Sequence, residues 1–222
     1  LPSPRKPEPL GRTPVKISTL FIDLDDTVYP ATTQVWQLVM KRMYVYMRDF
    51  LGIPEEEVPA MRDRLFNRYG TTLRGLQIER GIDAKACLDY VHDVDLSGIL
   101  NPDPELKSAL ASIPLPKIIF TNACESHARN VLGLMQLEGC FDGIIDVVAV
   151  QPYCKPELEA FHIALKLAGS PDPAAVMMVD DRAENLAAAA SLGMRTVLVS
   201  DAPQDGFQTI ARLAQLPDLL GA

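Results

Sequence analysis

Apolar residues follow two different periods along the chain, and the change of period indicates where strands give way to helices. The segment VKISTLFIDLD is mostly apolar and β-branched up to its aspartates, which is typical of a buried strand. From Thr33 to Leu51 the apolar residues recur at helical spacing, and Gly52 and Pro54 end this helix. Up to Pro104 the pattern predicts only helices, with further ones at about 55–69, 73–80 and 84–94.

After Asn101 the pattern alternates regularly between helix and strand. The predicted strands are KIIFTN, GIIDVVAV, AAVMMVDD and RTVLVS, and the predicted helices lie at about 104–112, 126–136, 156–167 and 183–192, with a short C-terminal helix. Such alternation indicates parallel βαβ units with helices on both faces of one sheet.

The sequence therefore predicts an α/β fold, namely a doubly wound parallel sheet with an inserted all-helical cap. Because helices alone follow the first strand, the cap is expected between the first and second strands. The predicted division is a Pro-rich tail at residues 1–14, a core at 15–30 and 101–222, and a helical cap at 31–100.

Charge and composition narrow the function classes. The 222 residues carry a formal net charge of −8, and the pI is near 4.9. Such an acidic chain lacks the basic face that nucleic acid polymers require. No apolar run approaches the roughly 18 residues that span a bilayer, and no signal peptide is visible, although the chain begins at Leu1. The four cysteines lack zinc-site spacing and are expected to be reduced thiols. We therefore expect a cytoplasmic protein that binds neither nucleic acid polymers nor membranes.

Polar side chains follow four of the predicted strands, at the points where the strands end. They are Asp23, Asp25 and Thr27, then Thr121 and Asn122, then Lys155, and finally Asp180 and Asp181. Ligands of open parallel sheets bind at the carboxyl ends of the strands, where the strand order reverses. We therefore expect these side chains, from four separate parts of the chain, to meet at one edge of the sheet.

These residue types suit phosphoryl transfer. A carboxylate can attack phosphorus, and a second carboxyl group can protonate the leaving oxygen and then activate water. Hydroxyl, amide and ammonium groups can hold the charged phosphoryl oxygens. Two carboxylates from different strands can hold Mg²⁺, which prefers oxygen ligands. A bound cation would also let an acidic protein accept a small anionic substrate.

The motifs DLDDT, TN, KP and VDD, in this order and each at the end of a predicted strand, resemble the haloacid dehalogenase (HAD) superfamily of phosphohydrolases. The resemblance spans about residues 17–200 and implies a HAD-type Rossmann-like core. It implies that Asp23 is the nucleophile and a metal ligand. It also implies that Asp25 is the general acid/base, with its backbone carbonyl on the metal. Dehalogenases of the superfamily lack the second aspartate of the first motif, so the presence of Asp25 favours hydrolysis of phosphate esters.

The same resemblance assigns roles to the remaining motif residues. Thr121 and Asn122 are similar to the phosphate-binding residues of the second motif, and Lys155 to the lysine that steadies both the nucleophile and the phosphate. Asp180 is similar to the metal-binding acid of the fourth motif, and Asp181 is expected to support the metal from the second shell of contacts. The implied cofactor is Mg²⁺, and the implied reaction is hydrolysis of a phosphomonoester through an aspartyl-phosphate intermediate.

The cap segments YGTTLRGL and DYVHDVDL, together with DLDDTVYP and FTNA, are similar to the pyrimidine 5′-nucleotidase branch of the superfamily. This closer resemblance implies a nucleoside monophosphate substrate such as UMP or CMP. It makes Thr71, Thr72 and Arg74 candidates for contacts with the substrate. Two alternatives stay open: a phosphatase for another small phosphate, such as a sugar phosphate or phosphoglycolate, and a non-catalytic binding protein with the HAD fold.

Other polar and aromatic residues are expected to have structural roles. These are Asp26 in a turn, Trp36 in the cap core, His92, His127, and Arg182 as a solvated residue. The two histidines are placed here because neither has a partner at a catalytic spacing. Asn185 is equally compatible with orienting the metal-binding acids and with a surface role.

Overall fold

One parallel sheet forms the centre of the protein. The computed structural model describes residues 15–221, so the predicted Pro-rich tail lies outside the described residues. The strands are Thr19–Ile22 (β1), Lys117–Phe120 (β2), Gly143–Ile145 (β3), Val176–Asp180 (β4), Arg195–Val199 (β5) and Gln208–Ile210 (β6). They form a six-stranded sheet in the order β3-β2-β1-β4-β5-β6, and every adjacent pair is parallel.

The order of the strands confirms the predicted doubly wound sheet. From β1 the chain builds outward through β2 and β3, and then returns to the other side of β1 with β4. In the centre, Leu20 of β1 is in register with Lys117 of β2 and Met177 of β4. The order therefore reverses between β1 and β4, and the carboxyl ends of these two strands are where such sheets bind ligands.

Helices cover both faces of the sheet and also form a block after β1. Their bounds are Val35–Val45 (α1), Val58–Tyr69 (α2), Thr72–Arg80 (α3), Ala84–Val91 (α4), Pro104–Ser112 (α5), Glu125–Leu134 (α6), Leu158–Leu167 (α7), Ala183–Ser191 (α8) and Leu216–Leu220 (α9). Leu20 and Ile22 of β1 pack into an apolar cluster with residues of α5 and α6, whereas Phe21 packs into a second cluster with residues of α7 and α8. Successive side chains of a strand point to opposite faces, so β1 is buried on both sides.

We call residues 31–100 the cap, and residues 15–30 and 101–221 the core. All of residues 31–100 are described, and none of them lies in a strand. Helix α1 continues into a π-helical stretch at Tyr46–Phe50. Helices α2 and α3 pack closely because Gly75 has no side chain: a Cβ there would lie 2.7 Å from Leu65 Cβ. That the cap is a separate domain stays a prediction.

The cap contacts the core through apolar side chains and one glycine. Val91 and Leu73 of the cap share a buried cluster with Cys124 and Cys154 of the core. Gly70, which ends α2, has φ of +81°, and a Cβ there would meet the backbone oxygen of Lys155 at 3.1 Å. The cap backbone therefore lies directly against the segment that carries the predicted lysine.

The structure differs from the predicted elements at the edges of the sheet. The third strand ends at Ile145 rather than continuing to Val150. The reason is Asp146, whose carboxylate accepts hydrogen bonds from the backbone N–H groups of Glu125 at 2.9 Å and Ala149 at 2.8 Å and so turns the chain. The short strand β6 has too few residues to show a period, and the sequence did not predict it. Within residues 15–221, no helix combines the length and apolar character that crossing a membrane requires.

Candidate active site

Asp23 and Asp25 follow β1 directly, at the predicted edge of the sheet. The N–H of Asp23 donates to the carbonyl of Val179 in β4 at 2.8 Å, so the sheet pairing holds its backbone. The chain then turns, with Val28 N–H bonded to the Leu24 carbonyl at 2.9 Å. Asp26 lies in this turn, as expected, with a left-handed φ of 59°. All three carboxyl-bearing residues line one cavity between the core and the cap.

Lys155 joins the first and fourth motifs by two ion pairs. Its Nζ lies 2.7 Å from Asp23 Oδ1 and 2.7 Å from Asp180 Oδ2, and its side chain is 1% exposed. Burial works against the charged ammonium, but the two carboxylates outweigh it and raise the pKa of Lys155. Lys155 is therefore charged at neutral pH and fixed beside the predicted nucleophile.

Asn122 holds the backbone of Lys155. The Asn122 side chain donates from Nδ2 to the Lys155 carbonyl at 2.9 Å, and its Oδ1 accepts from the Lys155 N–H at 2.9 Å. The side-chain amide predicted to bind phosphate is thus used to position the lysine, although Asn122 also lines the cavity. Thr121 lines the cavity beside it, and its Oγ1 accepts from the Ala123 N–H at 3.0 Å.

Asp180 is fully buried and held from several sides. Asn185 Nδ2 lies 2.9 and 3.0 Å from the two oxygens of Asp180, and the Arg182 N–H donates to Oδ1 at 2.9 Å. Of the two roles left open for Asn185, the structure therefore supports the orienting one. Asp181 lies in the lining of the cavity, whereas Asp180 lies behind it.

The three carboxylates fit a divalent cation. Ligand oxygens of Asp23, Asp180 and Asp181 all lie within 4.8 Å of one another. Burial raises the pKa of Asp23 well above its usual value, and the neighbouring acids raise it further against the opposing effect of Lys155. Burial and Asp180 likewise raise the pKa of Asp181 to about 7. Within residues 15–221, Lys155 is the one ammonium paired with these carboxylates, so negative charge is left for a cation, and hard oxygen donors are what Mg²⁺ prefers.

Asp25 receives two hydrogen bonds on one oxygen. The Tyr29 hydroxyl donates to Asp25 Oδ1, and His127 Nε2 lies 2.8 Å from the same atom. Burial alone would raise the pKa of Asp25, but the charge and hydrogen bonds of His127 and the hydrogen bond of Tyr29 outweigh it and lower the pKa. The expectation that His127 is structural stays a prediction, but its ring contacts the predicted acid/base.

The position of His127 in the sequence held a signal for this contact. His127 lies in the first turn of α6, which begins just after the TN motif at the carboxyl end of β2. First turns of helices that follow parallel strands lie at the ligand-binding edge of the sheet. The sequence carried no sign of its partner, because Asp25 and His127 are 102 positions apart.

The cap supplies an apolar wall opposite the polar residues. The cavity has a volume of about 270 Å³, and its cap side includes Trp36, Met40, Met43, Phe66, Leu73 and Leu88. The prediction that Trp36 belongs to the cap core is wrong, since the side chain is 38% exposed and lines the cavity. Thr71 and Thr72 also line it, and their contact with a substrate stays a prediction. Arg74 instead lies beside the core, with Nε 3.7 Å from Glu157 Oε2.

Two arginines lie over the Phe66 ring at the cavity. The guanidinium carbon of Arg62, from the cap, is 4.8 Å from the ring centroid, and that of Arg182, from the core, is 4.7 Å from it. Both arginines line the cavity. The expectation that Arg182 is merely solvated is therefore wrong, because it bridges core and cap through a cation–π contact.

Comparison with known proteins places the chain in a family. The profile of the haloacid dehalogenase-like hydrolase family matches residues 17–193, which include all four motifs. The chain belongs to this family. It is 26% identical over 211 residues to "Phosphate metabolism protein 8" of Saccharomyces cerevisiae, a match that covers 88% of this chain and 64% of the yeast protein. The chain thus spans just under two thirds of the length of that relative.

Solved structures share the fold at low sequence identity. A HAD phosphatase from Thermococcus onnurineus has a TM-score of 0.62 at 18% identity, with 92% of this chain and 98% of that chain covered. The magnesium-bound HAD-hydrolase YfnB of Bacillus subtilis has a TM-score of 0.60 at 15% identity. The match covers 93% of this chain and 100% of the YfnB chain. L-2-haloacid dehalogenase from Xanthobacter autotrophicus has a TM-score of 0.59 at 17% identity. The match covers 93% of this chain and 99% of the dehalogenase chain. These likenesses confirm the HAD fold and carry no information on the reaction.

Proposed function

We propose that this protein is a Mg²⁺-dependent phosphomonoester hydrolase that acts through an aspartyl-phosphate. The observation that carries the proposal is the ion pair between Lys155 and Asp23 at the base of a cavity that Asp25 also lines. A buried ammonium beside a carboxylate can hold the charged phosphoryl group where the carboxylate attacks. The name of the yeast relative, which refers to phosphate metabolism, supports the same class of reaction.

The first step transfers the phosphoryl group to the protein. An oxygen of Asp23 attacks phosphorus, and the bond between phosphorus and the leaving oxygen breaks. Asp25 gives a proton to that oxygen, while Lys155 and Thr121 hold the non-bridging oxygens. The lowered pKa of Asp25 in the free protein keeps it ionised. A phosphate dianion bound beside it would raise this pKa, so that the Asp25 carboxylate takes up a proton.

The second step releases phosphate. Asp25, now ionised, takes a proton from a water molecule, whose oxygen attacks the phosphorus of the aspartyl-phosphate. The bond between Asp23 and phosphorus breaks, and both carboxylates return to their starting state. Mg²⁺, held by the carboxylates of Asp23 and Asp180 and the backbone carbonyl of Asp25 with support from Asp181, would supply positive charge against that of the phosphate.

For the substrate we propose a pyrimidine nucleoside 5′-monophosphate such as UMP or CMP. In support, Trp36 offers an exposed aromatic side chain in the cap wall, opposite the polar residues that would take the phosphate. Aromatic rings stack well on bases. If Trp36 contacts the base, Trp36→Leu raises KM for UMP and leaves KM for ribose 5-phosphate, which lacks the base, nearly unchanged.

A substrate screen tests the reaction and the substrate together. Purified protein is assayed with p-nitrophenyl phosphate, UMP, CMP, AMP, a sugar phosphate, phosphoglycolate and 2-chloropropionate, each with Mg²⁺ and with EDTA. We expect Mg²⁺-dependent phosphate release, fastest from UMP or CMP, that is abolished in Asp23→Asn and unchanged in the exposed control Asp205→Asn. Preference for a sugar phosphate or phosphoglycolate would replace the nucleotide proposal. Halide release, or no turnover of any phosphate, would overturn the proposed reaction.

A further inference from the structure

Two donors meet on a single oxygen of Asp25 and leave its other oxygen for the substrate. Oδ1 accepts from the Tyr29 hydroxyl and from His127 Nε2 at 2.8 Å. Among the described residues, none donates a hydrogen bond to Oδ2. An ionised carboxylate can only accept, so His127 Nε2 carries the hydrogen in this contact.

The ring of His127 is fixed in this orientation by its surroundings. The His127 side chain is 1% exposed, and its ring stacks on that of His92 with centroids 4.6 Å apart. His92 comes from the cap, and its Nδ1 lies 3.1 Å from the Cys124 sulfur in the core. The contact of cap and core therefore holds the imidazole that contacts the acid/base.

We propose that His127 is a positioning residue that holds the Asp25 carboxyl group so that Oδ2 carries the catalytic proton. This inference rests on the proposed function, because it assumes that Asp25 is the general acid/base. When Asp25 is protonated on Oδ2, Oδ1 becomes a carbonyl oxygen and still accepts both hydrogen bonds. The same two donors thus suit both states of Asp25, and they disfavour a proton on Oδ1.

The dependence on the leaving group distinguishes this role from a structural one. A nitrophenolate leaves readily without a proton, whereas an alkoxide needs one from Asp25. A protein that has lost the position of Oδ2 therefore fails with alkyl phosphates more than with p-nitrophenyl phosphate. The ratio of kcat/KM for the two substrates in one preparation does not depend on the fraction of protein that is folded.

The experiment measures this ratio, by single-turnover release of the alcohol, in His127→Asn, His127→Leu and His127→Gln. Asn is too short to reach Asp25 and Leu cannot donate, so both should lower kcat/KM for the alkyl phosphate by roughly 10–100-fold. The loss with p-nitrophenyl phosphate should be much smaller. Gln keeps a donor at about the same reach and should restore most of the ratio. His162→Asn, at an exposed histidine of α7, is the matched control and should match the unmodified protein.

Asp25→Asn, assayed in the same way, separates this inference from the proposed function. If Asp25→Asn lowers kcat/KM equally for the alkyl phosphate and for p-nitrophenyl phosphate, Asp25 is not the general acid. The proposed function then fails in that respect. If Asp25→Asn loses more activity with the alkyl phosphate than with p-nitrophenyl phosphate, and the His127 variants do not, the positioning role alone is overturned. Equal losses with both substrates in His127→Asn, or no rescue by Gln, would also overturn it.

Discussion

The electrostatics of the site depend on Lys155. Its ammonium is the nearest positive charge to both Asp23 and Asp180, and it is almost completely buried with them. A buried charge pair adds little net stability, but removing one partner leaves the other charge without compensation. The side chain that would bind the phosphoryl group therefore also compensates the two buried acids in the folded protein.

Replacing this ammonium tests that dependence. Lys155→Met keeps the length and volume of the side chain but removes its charge. We expect the free energy of unfolding without metal to fall by about 3–5 kcal/mol, and phosphatase activity to be lost. Urea denaturation measures the first effect, and Lys166→Met, at an exposed lysine of α7, is the control. Unchanged stability in Lys155→Met would contradict the account of the buried pairs.

At the scale of elements, the turn after α2 brings the cap backbone into contact with the loop that contains Lys155. Gly70 allows this approach in two ways: its φ is +81°, and a Cβ would lie 3.1 Å from both Lys155 O and Pro156 Cδ. Gly81, which ends α3, has a similar φ of +65°, but a Cβ there would meet no atom within 4 Å. The two glycines therefore differ in their surroundings and also in ψ, which is −33° at Gly70 and 30° at Gly81.

This difference gives a matched pair of substitutions. Gly81→Ala should cost roughly 1–2 kcal/mol of stability, the price of a left-handed alanine. Gly70→Ala should cost at least this, because its ψ of −33° lies outside the left-handed helical region, and about 1–3 kcal/mol more for the close contact. Because the displaced atoms belong to Lys155 and Pro156, Gly70→Ala alone should also lower kcat. Equal activity in the two variants would show that the cap turn does not position Lys155.

The elements of the core were predictable because the strands are mostly apolar and four of them are followed by a motif. The period of the apolar residues identified β1 to β5, and the residues of the four motifs, which follow β1, β2, β3 and β4, meet around one cavity. The pattern did not reveal that Asp146 ends β3, since that depends on hydrogen bonds to Glu125 and Ala149. The sequence did not reveal the contacts of His127, Trp36 and Arg182 for a similar reason. They arise from contacts between cap and core that no local spacing encodes.

At the scale of the whole molecule, the contact of cap and core contains a histidine that resists protonation. Loss of water around His92, followed by the nearby His127, lowers the pKa of His92 from 6.5 to about 3. In the unfolded chain the ring takes up a proton as pH falls below about 6.5, whereas in the folded protein it does not until about pH 3. His92 therefore contributes stability that is present above pH 6.5 and is lost as pH falls toward 3.

The variant His92→Asn isolates this contribution. Between about pH 6 and pH 4, the unmodified protein should lose up to about 1.4 kcal/mol per pH unit more than the variant. Urea denaturation across this range measures both slopes, and groups common to the two proteins cancel in the difference. Parallel slopes would mean that the His92 ring takes up its proton at about the same pH in the folded protein and in the unfolded chain.

The central claim is that Asp23 carries the phosphoryl group. The most direct measurement is acid quenching of Asp25→Asn protein during reaction with Mg²⁺ and p-nitrophenyl phosphate, followed by peptide mass spectrometry. Loss of the base should slow hydrolysis of the intermediate, so we predict a hydroxylamine-sensitive phosphoryl group on Asp23 that is absent when Asp23→Asn is added. Phosphate on another residue, or turnover that persists in Asp23→Asn, would contradict the account.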